Sequence, residues 1–244
     1  RICSGARPAA LTGIEAAIAD GAPRFIAALG LWSQPGIFSW DRIDPGSALL
    51  IAHLPPLAGR GADLGCGIGV LARAALASNP AVQHITLVDF DRRAVEAARR
   101  NVEAARTTVI WADAATSKAL PKGLDFVLMN PPFSAAVHVD RRMADAALRH
   151  VGSALARLPA GGRLVAITGA NVAPDNPVWT DSFKRLQDQG QVVFSAAIDG
   201  AVYAKHGTTT DTRLTVIDRV PAGDIALLPA SAGIARDLPT LLGW

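Results

Sequence analysis

Cysteine is nearly missing from this 244-residue chain: Cys3 and Cys66 are the only two. They stand far apart in no CxxC or ligand spacing, which excludes a disulfide framework and a zinc ribbon and fits a reduced, cytoplasmic setting. The five histidines show no HxxxH pattern, so no metal is expected. Long hydrophobic runs are lacking. Every apolar stretch is broken by Arg, Asp, Pro or Gly well before the ~20 residues a membrane helix needs, and no secretory pattern is visible. Neither sign of charge dominates, with 24 basic against 21 acidic residues; this permits nucleic-acid binding without demanding it. Internal repeats are absent too.

Hydrophobic residues, by contrast, make up half the chain. From residue 61 onward, short apolar runs alternate with amphipathic segments, the pattern of a parallel sheet covered by helices. Strands are predicted over 61–66, 84–90, 107–112, 124–130, 163–168, 191–198 and 212–220. Helices are predicted over 70–78, 92–105 and 140–158, with another starting at Asn176-Pro177, a capping residue followed by the residue best tolerated in a first helical turn. The segment 199–211 reads as a long polar hairpin connection. Before residue 60, the pattern predicts a helix over 9–29, interrupted by Gly21 and Pro23, and a short helix over 44–54. These are expected to pack as a cap, since a piece that short has no core of its own. The expected division is a cap over 1–55, a main domain over 56–222 and a tail over 223–244.

The first strand of the main domain runs into Gly65-Cys66-Gly67-Ile68-Gly69 and then a helix. Glycine lets backbone approach a ligand and adopt positive φ, and a helix start favours a negative group. Twenty residues after Gly69, at the end of the second strand, Asp89 is placed to accept hydroxyl hydrogens of a ribose. A dinucleotide fingerprint would need its third glycine at Val70. Asp113, ending the third strand, reads evenly as an acceptor for an adenine amino group or as an ordinary helix cap.

Asn130-Pro131-Pro132-Phe133 follows the fourth strand. A proline restrains the residue before it to extended geometry and carries a carbonyl but no N–H. The loop therefore offers two acceptors, the Asn130 side-chain oxygen and the Pro131 carbonyl, and Phe133 offers a flat face for stacking. An exocyclic amine on a base is a poor nucleophile because its lone pair is delocalised. Two acceptors taking its hydrogens favour pyramidal nitrogen and stabilise the developing positive charge, so catalysis would rest on positioning and dipoles rather than on a base. A rigid turn with Phe133 in the core is the bland alternative. Four signals at one edge of the expected sheet, where open α/β folds bind ligands, weigh against it.

With DLGCGIG at 63–69, LVDFD at 87–91, WAD at 111–113 and NPPF at 130–133, the chain resembles the class I S-adenosylmethionine-dependent methyltransferases over roughly residues 35–220. The resemblance implies a Rossmann-like, doubly wound α/β fold: a seven-stranded, mostly parallel sheet with an antiparallel last strand, here with a short N-terminal helical cap. It implies S-adenosyl-L-methionine as cofactor, with Asp63, Gly65 and Gly67 at the methionine end. Gly69, Asp89, Phe90 and Asp113 complete the expected cofactor set, and Asn130, Pro131 and Phe133 the catalytic set. The stretch 35–50 resembles the small-subunit ribosomal RNA guanine-N2 methyltransferases, although Ser134 stands where those enzymes usually carry His. The second half resembles the methyltransferase part of strawberry-notch-type helicase proteins.

Pro132, Lys205 and His206 are candidate substrate contacts, the last two toward phosphate or in a bland loop role. The arginines of 92–106 read as a solvated face, because Glu96 and Glu103 are interleaved. Cys66 reads as a small buried residue of the loop, and Trp32, Phe38 and Trp40 as packing between cap and core. The expected activity is methyl transfer to an exocyclic amine of a nucleic-acid base, ribosomal RNA guanine-N2 ahead of DNA adenine-N6. A protein glutamine amide and a non-catalytic cofactor-binding subunit stay open. A partner subunit for target recognition is compatible with either.

Overall fold

Parallel ladders carry the site. In the computed structural model, which describes residues 12–52, 54, 56–114, 116–117, 120–130, 141–206 and 209–244 (at 45, 141–146 and 204–206 the backbone alone), the chain begins with helix α1 (Ile14–Asp20). A small hairpin follows, β1 (Arg24–Ile26) with β2 (Leu31–Ser33), then α2 (Pro45–Ala52). The main body runs β3 (Gly59–Leu64), α3 (Val70–Ser78), β4 (Val82–Asp89), α4 (Arg92–Asn101), β5 (Thr107–Trp111) and β6 (Phe126–Leu128). It continues with α5 (Arg141–Leu155), β7 (Arg163–Gly169), α6 (Thr180–Gln187), β8 (Gln191–Ile198), β9 (Thr212–Asp218), β10 (Ile234–Ala235) and α7 (Leu238–Leu242).

The helix predicted over 9–29 is corrected within the described residues. Gly21 caps α1 at its C-terminal end, with its N–H donating to Ala17. The chain then turns at Gly30, φ 62°, to pair Phe25 with Trp32. β-Branched and aromatic residues after the Gly21–Pro23 break favour extended pairing over a continued helix. The expected helix start at Asn176-Pro177 is also corrected: Asn176 forms a turn with the Val178 N–H, and α6 begins three residues after Pro177. The expected connection at 199–211 contains a 3-10 helix, Gly200–His206.

Two four-stranded ladders are formed. One, in the order β5-β4-β3-β6, is wholly parallel. The other runs β10-β8-β9-β7, with β9 antiparallel to both its neighbours and β10 parallel to β8. In place of the single seven-stranded sheet anticipated from sequence, the described residues form these two separate ladders, with β10 as an edge strand of the second. No helix among the described residues is long and apolar enough to cross a membrane.

One buried cluster joins the ladders. Leu64, Val88, Val127 and Met129 from the first meet Leu164, Ala166, Val192 and Ile217 from the second, with Leu148, Leu155, Phe183 and Leu186 of α5 and α6 closing it. A second cluster lies under α3, where Leu71, Ala72, Ala75 and Leu76 pack on Val82, Ile85 and Leu87, with Leu50 and Ile51 of α2 alongside.

Candidate cofactor and target-amine site

Strand register sets the site. Asp63 pairs with Leu87 of β4 and Leu128 of β6, and Asp89 pairs with Trp111 of β5. The carboxyl ends of four parallel strands therefore lie side by side, bringing Gly65–Gly69, Asp89, Asp113 and Asn130 to one edge. A parallel sheet leaves its ligand crevice there.

The glycine loop leaves β3 with the Gly65 and Cys66 N–H groups donating to the Val88 carbonyl at 2.8 and 3.0 Å. Gly65, Gly67 and Gly69 have φ of 79°, 53° and 86°, in the left-handed region where side chains are strained. A Cβ at Gly65 or Gly67 would meet nothing within 4 Å among the described residues. Gly69 differs: a Cβ there would press on Val102 at 3.1 Å and Leu87 at 3.3 Å. At that glycine the missing side chain allows close helix–sheet packing.

Asp63 is fully buried. Its Oδ2 accepts from the Ala72 N–H at 3.1 Å, whereas Oδ1 has no partner among the described residues. Burial raises its pKa from 3.8 to about 7, helped by the charge of Asp89 and opposed by the Ala72 N–H. An orphaned buried carboxylate oxygen beside an open glycine loop suits a cationic group such as an amino-acid ammonium. Asp89 uses one oxygen for the Gly67 N–H and the other for the Asp91 N–H, both at 2.8 Å. Each oxygen keeps a further lone pair for a hydroxyl.

Phe90 is 74% exposed beside this acid, and the Trp111 indole N–H donates to the Phe90 carbonyl at 2.8 Å. The Arg92 guanidinium stands 5.9 Å over the Trp111 ring. Asp113 accepts from the Thr116 hydroxyl at 2.9 Å, and its carbonyl accepts from the Thr116 and Ser117 N–H groups, a turn-capping role in this structure. Burial pushes the Cys66 thiol up, with Asp63 and Asp89 adding to it, in keeping with an inert residue of the loop.

Asn130 follows β6 by two residues. Its amide nitrogen donates to Asp44 Oδ1 and Oδ2 at 3.0 and 3.1 Å and to Ser47 Oγ at 3.1 Å. Its Oδ1 is buried with no partner among the described residues. Pro131, Pro132 and Phe133 lie outside the described residues. Lys205 and His206 complete the backbone of the 3-10 helix that carries Tyr203. The Tyr203 hydroxyl, raised in pKa by burial and further by the nearby Asp44 charge, shares a 2.7 Å bond with Thr212. The late segment thus approaches the Asn130 side of the site.

Sequence reasoning missed Asp44 and Ser47. Asp44-Pro45 is legible as a helix start, and Asp44 does accept from the Gly46 and Ser47 N–H groups at 3.0 and 3.4 Å. Nothing local says that its partner lies 86 residues further on. Phe38 corrects another reading: instead of packing cap to core, it is 77% exposed. Trp32 and Trp40 are half-buried, the first under the Arg100 guanidinium at 4.8 Å and the second against the cluster around Leu31 and Ile37.

Residues 28–191 match the profile of the methyltransferase small domain. The chain belongs to that family. Among relatives, it is 41% identical over 139 residues to a protein named ribosomal RNA small subunit methyltransferase C from Pseudomonas entomophila, covering 55% of this chain and 40% of the relative. It is 35% identical over 130 residues to a protein of the same name from Shewanella sediminis, covering 52% and 36%. The match thus spans about two-fifths of the length of these relatives. Among solved structures, a 16S rRNA N2 methyltransferase from Thermus thermophilus, in complex with AdoMet and guanosine, superposes with a TM-score of 0.53 at 19% identity, covering 87% of this chain and 48% of that one. A class I S-adenosylmethionine-dependent methyltransferase from Listeria monocytogenes gives 0.57 at 14% identity, covering 81% and 65%. At such identities these two establish the α/β methyltransferase fold of the small-domain chain.

Proposed function

We propose that this methyltransferase small-domain protein is an S-adenosylmethionine-dependent N-methyltransferase acting on the exocyclic amine of a ribosomal RNA base, guanine N2 by preference. The observation that carries the reading is the meeting, at one sheet edge, of a positive-φ glycine loop with two buried oxygens, Asp63 Oδ1 and Asn130 Oδ1, that have no partner among the described residues. The name shared by the curated relatives supports ribosomal RNA as substrate.

When bound, S-adenosylmethionine would supply an electrophilic methyl group on a sulfonium sulfur. The protein's part is to bind and orient. Gly65 and Gly67 would let the backbone approach the methionine end, and Asp63 would hold its ammonium. Asp89 would hold the ribose hydroxyls, and Phe90 with Asp113 the adenine. Asn130 Oδ1 would accept one amine hydrogen, and the sequence motif assigns the Pro131 carbonyl to the other and Phe133 to stacking on the base. Positive charge developing on the nitrogen is met by fixed dipoles, and the proton lost from it passes to water. Pro132, Lys205 and His206 flank the nucleic-acid approach.

Incubation with radiolabelled S-adenosylmethionine and separate pools of ribosomal RNA, DNA and protein, followed by nucleoside and amino-acid analysis, tests the reading. Label in N2-methylguanosine is expected. Label in N6-methyladenine or methylglutamine would move the substrate class, and label in none would sink the enzymatic reading. Asn130→Ala is expected to cut turnover by about 100-fold or more, the scale of losing one transition-state acceptor or donor, while cofactor affinity measured by calorimetry stays within about threefold. Equal loss of both would make the loop structural.

A further inference from the structure

The Asn130 amide carries an asymmetry that its own role in binding an amine does not explain. Three acceptor atoms, two from the Asp44 carboxylate and one from Ser47, converge on its nitrogen, and none of the described groups donates to its oxygen. We propose that Asp44 and Ser47 are positioning residues: they lock the Asn130 amide in the single orientation that presents Oδ1 to the substrate amine. The inference rests on the methyl-transfer reading above and adds the residues that make Asn130 competent for it.

An asparagine side chain has two nearly isosteric orientations, and a free one would present its NH2 group as often as its oxygen. Only the oxygen can take an amine hydrogen; the NH2 would repel it. Here the wrong orientation would set a carbonyl oxygen against a carboxylate at about the 3.0 Å now spanned by the hydrogen bond, two electron-rich groups with no proton between them. The carboxylate therefore selects the flip state. It also draws positive charge toward the nitrogen end of the amide and leaves Oδ1 the better acceptor, since hydrogen bonds in series polarise one another.

The lock is itself held. Asp44 Oδ1 accepts the Gly46 and Ser47 N–H groups at the start of α2, and α2 is anchored through Leu50 and Ile51 to the cluster beneath α3. Gly46 makes room: a Cβ there would stand 3.0 Å from Asn130 Oδ1 and 3.2 Å from its nitrogen. A clamp serving only to tie α2 to the strand edge would have no use for a buried oxygen left without a partner among the described residues, which is costly in a folded protein. Such an oxygen makes sense where a donor arrives with the substrate.

The test uses the full chain, tritiated S-adenosylmethionine and purified small-subunit ribosomal RNA, comparing wild type with Asp44→Asn and Ser47→Ala. Asp44→Asn is expected to lower kcat about 10- to 100-fold and Ser47→Ala several-fold, with KM for RNA, cofactor Kd and Tm nearly unchanged. Retention of kcat within twofold in both variants would overturn the proposal, as would a fall in kcat matched by a fall in Tm or cofactor affinity. A second readout is the Asn130 side-chain NH2 pair, assigned by NMR from its loss in Asn130→Asp. Its hydrogens should exchange at least about tenfold more slowly in wild type than in Ser47→Ala or Asp44→Asn. Should wild type label no pool, the substrate reading fails and the lock is judged on this exchange alone: slower exchange in wild type upholds the lock, and equal exchange overturns it.

Discussion

Asp63 is a carboxyl group with no exposure, one backbone donor and an oxygen that has no partner among the described residues. Folding raises its pKa from 3.8 to about 7, so the folded chain binds this proton more tightly than the unfolded chain does. Its contribution to stability is full below the ordinary carboxylate range and is lost as pH rises through about 7. Wild type is therefore expected to lose on the order of 2–3 kcal/mol more stability than Asp63→Asn between pH 5 and pH 8, at about 1.4 kcal/mol per unit. Urea midpoints at both pH values measure it; parallel losses in the two proteins would mean that the buried carboxyl does not titrate in that window. The same variant should bind cofactor more weakly, having lost the charge meant for an ammonium.

At the scale of elements, the hairpin β1–β2 is tied to the glycine loop by one side chain at the end of α4. Asn101 Oδ1 accepts the Trp32 N–H at 2.7 Å, and its amide nitrogen donates to the carbonyls of Trp32 and Ile68 at 2.8 and 2.9 Å. Arg73 and Arg93 add bonds to the carbonyls of Gly30 and Gly36. Asn101→Ala is expected to cost about 2–3 kcal/mol, near 1 kcal/mol for each bond removed, read as a lowered Tm. An unchanged Tm would show the hairpin to be energetically separate from the main body. The hairpin was not legible as such. Gly21 and Pro23 read as interruptions of a helix, whereas extended pairing of Phe25 with Trp32 depends on α4 offering Asn101 and Arg100 to that strand. By contrast, α3 occupies the very residues predicted, 70–78, because its start is set by the glycine turn and its composition is Ala- and Leu-rich.

For the whole molecule, the buried cluster shared by the two ladders predicts that they unfold as one cooperative unit. Leu155 of α5 is fully buried within it. Leu155→Ala is expected to cost about 2–5 kcal/mol, the range for emptying a packed leucine site, and to shift one urea transition measured alike by circular dichroism and tryptophan fluorescence. Two separated transitions would divide the ladders into independent units.

The sequence by itself determined the alternation of strands and helices, the three positive-φ glycines after β3, and the acids and amide that end successive strands. Each is a local matter of periodicity, turn chemistry or backbone freedom. Only the tertiary structure decided that the Cβ position of Gly69 turns to the core, that Asp63 keeps an oxygen without a partner among the described residues, and that the Asp44 carboxylate meets the Asn130 amide across 86 residues of chain. Those outcomes depend on which side chains share a desolvated volume. Strand register and helix packing fix that volume, and spacing along the chain does not encode it.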